Sequence, residues 1–141
     1  MDLQYQNDYI TVSYDLQQDI VYNKWFAQTM NMDEDTFKQE IKKLADTFRK
    51  IQPQKAVSNG QDFFFTINVD LQQWVALDFN DCIAPFSALV VSRELLAQLS
   101  LEQTAEEIKR KTDVFIKYFD NENKAFNWVK SIKVHTNFNQ E

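Results

Sequence analysis

Glycine is all but missing from this chain: Gly60 stands alone among 141 residues. Phosphate-cradling loops need several glycines so that backbone amides can approach the ligand, so the P-loop and the dinucleotide fingerprint are both excluded. Cysteine is equally scarce. With Cys82 alone, neither an internal disulfide nor a cysteine-based metal cluster can form, and the chain reads as cytoplasmic. The single histidine, His135, falls in a stretch expected to fray, whereas a catalytic base needs a held geometry. Long apolar runs are absent too. The longest, Ile83 to Val91, is interrupted by Pro85 and Ser87 and falls far short of the roughly 20 residues of a membrane span. The N-terminal stretch carries Asp2, Asp8, Asp15 and Asp19 with no apolar core, so no export signal is expected. Positive charge is thin: the net charge is −6, and the densest basic run, Lys109 to Lys111, is too short to track a phosphate backbone. Nucleic acid is not an expected partner.

Aromatic side chains are plentiful. They make up 14% of the chain, with 12 Phe among them, and such residues bury large areas on folding. The length fits one domain with a core of its own. We expect that domain over residues 1–134 and a flexible C-terminal tail over 135–141.

Tyr9 to Tyr14 alternates, and Ile20 to Trp25 is rich in β-branched and aromatic residues, which predicts an antiparallel hairpin across the polar Asp15 to Asp19. Asp33 precedes apolar residues at Phe37, Ile41, Leu44, Ala45, Phe48 and Ile51. That is one face of a helix ending before Pro53. Lys55 to Ser58 is the expected return strand, and Asn59-Gly60 is a turn signal. Asp62 to Ile67 reads as a short strand or a loop whose aromatics plug the core, after which Asn68 caps a helix containing Leu71, Trp74 and Val75. Phe86 to Ser92 predicts a central strand, since Ala88 to Val91 is apolar without a break. A helix follows from Ser92 with a bend near Ser100, where Ser100 and Gln103 match a capping box. Val114 to Tyr118 alternates, and Ala125, Phe126, Val129 and Ile132 repeat with helical spacing, which makes a strand feeding a helix. Asp120 or Asn121 can cap that helix, and Asp120 is read as the cap; Glu122 faces the positive end of the dipole. The fold class is α/β: a mixed, mostly parallel sheet of about five strands with four helices, beginning with a β-hairpin.

Catalytic groups do not converge along this pattern. Cys82 has no fixed histidine to activate it and reads as a small buried or half-buried hydrophobe. The pairs Asp33/Asp35 and Glu106/Glu107 belong to a helix start and a solvated face. No metal and no cofactor is expected, and the reading is non-enzymatic. Phe63, Phe64 and Phe65 raise a different question, since an alternating strand turns at most two of them to one side. Either one aromatic faces solvent, a partner or a second pocket, or loop curvature buries all three. Trp25 and Phe26, at the end of the hairpin, pose the same choice.

Three stretches together, Val90 to Glu107, Lys117 to Ser131 and Ser13 to Trp25, resemble small bacterial single-domain proteins of the STAS-like superfamily. That class includes anti-sigma-factor antagonists and shares a (β/α) superhelical arrangement with lipid-binding CRAL-TRIO domains. The pattern Phe119, Asp120, Glu122, Ala125, Trp128 carries part of the likeness. In the antagonists a serine in a turn after a central strand accepts a phosphate and so switches partner binding. The matching turn here is Ser58-Asn59-Gly60-Gln61, which departs from the pattern by placing Gly60 at the hydroxyl position and Asn59 at the acidic one. Two expectations follow from the resemblance and the aromatics. One is a non-enzymatic interaction module that binds a protein partner or forms a homodimer through Phe63, Phe64, Phe65, Trp25 and Phe26. The alternative is a binder of a small apolar ligand in an aromatic-lined pocket.

Overall fold

The computed structural model describes residues 1–133; Val134, the last residue of the expected domain, and the expected tail from His135 onward lie outside the described residues. The chain forms six strands and four α-helices. In order these are β1 (Asp2–Gln6), β2 (Ile10–Asp15), β3 (Ile20–Trp25), α1 (Glu34–Ile51), β4 (Lys55–Asn59), α2 (Val69–Phe79), β5 (Phe86–Val90), α3 (Leu95–Lys111), β6 (Phe115–Phe119) and α4 (Glu122–Ser131), with a 3₁₀ turn at Ala27–Asn31. The expected α/β class is therefore present, with one strand more than expected. The extra strand is β1. Four of its five residues are exposed, so it carries no alternating apolar signal, and its place at the sheet edge requires none.

The six strands lie side by side in sequence order. β1, β2 and β3 are antiparallel, and β3 to β6 are parallel. Successive right-handed crossovers taken in one direction deliver α1, α2 and α3 to the same face of the sheet. Side-chain alternation confirms the division. Val21 and Ala56 share a core with Phe37, Leu44, Val75 and Ala97 from those three helices, whereas Ile20, Val57, Ala88 and Val90 pack under Ala125 and Val129 of α4 on the opposite face.

Local chemistry sets the boundaries. The Asp33 carboxylate accepts from the Thr36 amide at 2.8 Å and the Asn68 carboxamide from the Leu71 amide at 3.0 Å, so both expected caps are made. Helix α1 ends on Gln52 in the left-handed region, φ 53°, directly before Pro53. Two readings of the sequence need correction. Helix α3 starts on Glu94, whose carboxylate accepts from the Ala97 amide, and runs unbroken through Ser100. The Ser100 hydroxyl instead donates to the Ala97 carbonyl at 2.9 Å and accepts from the Ile67 amide at 3.0 Å, so it fastens the loop before α2 rather than starting a helix. Helix α4 is capped by Asn121, which accepts from the Lys124 amide at 2.9 Å, and not by Asp120. Asp120 is an exposed partner of Lys124 at 3.1 Å. Glu122 then ties α4 to the sheet, because its Oε2 accepts from Asn59 Nδ2 at 2.6 Å and from the Tyr22 hydroxyl at 2.9 Å.

The lone glycine follows from a close approach. At the end of β4 the Gly60 amide donates to the Val90 carbonyl at 2.9 Å. A Cβ at this position would stand 3.0 Å from that carbonyl oxygen and 3.5 Å from Leu101 Cδ1. Backbone on one side and helix on the other leave little room to yield. Gly60→Ala is therefore expected to lower stability by about 1–3 kcal/mol in urea denaturation. A gain of about 0.4–1 kcal/mol, as at an unstrained glycine, would contradict the close-approach explanation.

Candidate functional site

The two faces of the sheet are packed differently. On the α4 face, Ala125 and Val129 meet Ala88 and Val90, and α4 lies close over β4, β5 and β6. On the face covered by α1, α2 and α3, the floor of the sheet includes the short side chains Ala56, Ser58 and Ser87 beside Leu89 and Ile116, while the roof holds Phe37 and Phe48 from α1 and Phe79 from α2 among aliphatic residues. A bulky roof over a short floor leaves a cavity of about 130 Å³. An apolar cavity of about 150 Å³ engineered in another protein stays dry and takes up benzene or xenon. Trp25, Phe63, Leu101 and Ile108 also line it, and no charged side chain lines the space.

Polar groups reach the cavity at a few points. Asn23 is 2% exposed, and its Oδ1 accepts from the Ser58 hydroxyl at 2.7 Å. Ser87 donates to the Ala84 carbonyl at 2.9 Å and Thr104 to the Ser100 carbonyl at 2.7 Å. All three lining hydroxyls have therefore committed their protons.

Of the residues singled out from the sequence, the structure brings Trp25, Phe63 and Ser58 to this cavity. Phe63 is fully buried and meets Trp25 edge to face at 5.2 Å between ring centroids. The segment around it is a loop rather than a strand, and its curvature turns Phe65 back to stack on Phe37 at 4.7 Å. Phe64 is half-buried, and its amide donates to the Thr29 hydroxyl at 2.9 Å. Phe26 is half-buried at the end of β3, with its amide donating to the Tyr9 carbonyl at 2.8 Å. Asn59 faces α4, where it holds Glu122 and also accepts from the Gln61 amide at 3.0 Å. Gly60 is buried at the strand end. The turn Ser58-Asn59-Gly60 is thus divided between the two faces of the sheet, with the Ser58 hydroxyl directed inward to Asn23.

Cys82 is buried beside Asp78 and Asp81. Burial pushes its thiol up to about 12, against the smaller opposing pull of Arg49, so the thiolate needed for nucleophilic attack is absent at neutral pH. Arg49 belongs to the structure around it: it pairs with Asp46 at 2.8 Å, Asp78 at 3.0 Å and Asp81 at 3.2 Å, clamping the end of α1 to that of α2. Hydrogen bonding from Arg49 holds the Asp81 carboxyl below its ordinary range. Among the described residues no group of three or more His, Cys, Asp or Glu is placed to hold a metal ion, and no helix is long and apolar enough to cross a membrane.

Asn23, Ala56 and Ser87 escape a reading by motif because none is part of one. Their signal was positional. In Ile20 to Trp25, alternation puts Asn23 on the same face as Val21 and Trp25, so a polar carboxamide occupies a core-facing slot. No family model, curated protein or solved structure matches this chain, so the site rests on its own geometry.

A real void should accept added volume. Ala56→Val is expected to raise stability by about 0.5–2 kcal/mol by filling part of the cavity, measured by urea denaturation. A loss of about 1–3 kcal/mol, the response of a fully packed core, would contradict the void.

Proposed function

We propose that this protein binds a small apolar ligand in the aromatic-roofed cavity between the sheet and helices α1 to α3. The single observation that carries the reading is the cavity itself. At ~24 cal/mol per Å³, a void of about 130 Å³ withholds roughly 3 kcal/mol. That is a sizeable fraction of the about 5–15 kcal/mol by which domains are stable. A ligand seated there restores the lost contacts and contributes its binding free energy to the folded state alone. The uncharged, largely apolar lining sets the class of ligand as apolar and compact. The reading is of a binding protein, and the uncharged lining of the cavity supports it.

A second reading is a STAS-like interaction module that binds a protein partner or a second copy of itself. It is favoured by Leu95, Leu96 and Leu99, which are 72%, 60% and 46% exposed at the start of α3 and form an apolar patch of the kind found at interfaces. Native mass spectrometry of protein purified gently from its host separates the two. The ligand reading expects a monomer carrying a low-mass adduct that is lost on denaturation. A dimer without adduct would favour the interaction module, and a bare monomer whose melting temperature is unmoved by saturating toluene would overturn the ligand reading.

A further inference from the structure

The cavity has an uneven hydrogen-bonding capacity, and its unevenness names the ligand more closely. The lining hydroxyls of Ser58, Ser87 and Thr104 already donate to Asn23, Ala84 and Ser100. Asn23 uses its Oδ1 as the acceptor for Ser58, and no acceptor among the described residues bonds its Nδ2, although the side chain is 2% exposed. The indole N–H of Trp25, two residues along β3 on the same face and 5% exposed, likewise bonds no acceptor among the described residues. The residues lining the cavity therefore offer donors that no acceptor among the described residues takes up, and no charge.

From this we infer that the ligand is a neutral molecule of about benzene's size bearing one hydrogen-bond acceptor, such as a carbonyl, which receives the Asn23 amide. The inference rests on the cavity-binding reading and adds the polarity of the occupant. An anion is excluded by the lining, where no Lys, Arg or His offsets its charge. A pure hydrocarbon fills the space yet leaves the donors of Asn23 and Trp25 unmet. A molecule with an acceptor at one end satisfies them and is fixed in orientation by them.

The test compares two probes of the same shape and heavy-atom count, benzonitrile and phenylacetylene, which differ in whether the tip accepts a hydrogen bond. Calorimetric titration of the full chain is expected to show both binding, with benzonitrile about tenfold tighter, and Asn23→Leu is expected to abolish the preference while retaining phenylacetylene. The infrared nitrile stretch of bound benzonitrile supplies a readout that needs no variant, and it is expected at the frequency of a hydrogen-bonded nitrile. Equal affinities, or a nitrile stretch matching that in hexane, would overturn the inference and leave cavity binding standing. Binding of neither probe would overturn the cavity reading and this inference together.

Discussion

Three crossovers taken in the same direction across the sheet are the constraint from which the rest follows. Because β3, β4, β5 and β6 lie in sequence order and parallel, right-handed connections place α1, α2 and α3 on one face, and α4 alone remains to cover the other. Strand order never reverses along β3 to β6, so this part of the sheet lacks the switch-point crevice at which open α/β sheets ordinarily hold ligands. Any internal site must lie between layers. The centre of the sheet carries several short residues on each face, with opposite results. Under α4 they meet Ala125 and Val129, and the helix comes down close. Under α1 to α3 they face Phe37, Phe48 and Phe79, and space is left.

The polar residues at the strand ends keep these two layers in register. Glu122 is the hinge between the faces, since it begins α4 and accepts from Asn59 on β4 and Tyr22 on β3. Burial, reinforced by the bond to Glu122, raises the Tyr22 phenol above its ordinary value, so the hydroxyl keeps the proton that it donates. Asp19 does the same service at the other end of the strands. Its backbone is left-handed, φ 56°, and its carboxylate accepts from the Tyr14 hydroxyl at 2.7 Å and the Gln54 amide at 3.0 Å, joining the hairpin turn to the start of β4.

Much of this was legible in the sequence. Helical spacing after Asp33 and Asn68 gave α1 and α2, and the unbroken apolar run at Ala88 to Val91 gave a central strand, because each is a local pattern with a local cause. Gly60 was conspicuous by being single, and the close approach of Val90 explains it. β1 was illegible since an exposed edge strand needs no apolar period. Ser100 misled because a serine followed by glutamine at the fourth place matches a cap, whereas its hydroxyl serves the neighbouring loop. The cavity was illegible for a deeper reason. Aromatic content promised a pocket or a surface without saying which, and a void is a difference between the reach of the roof and the height of the floor, set by residues far apart in the chain. Only the core-facing place of Asn23 hinted at it.

Crystals of the protein held under xenon pressure test the central claim most directly, since xenon enters apolar cavities and is located by its electron density. The account predicts one well-occupied xenon between Ala56 of the sheet and Phe63 and Leu101 above it. A crystal without xenon at that place, in which the roof has closed onto Ser58 and Ser87, would contradict it.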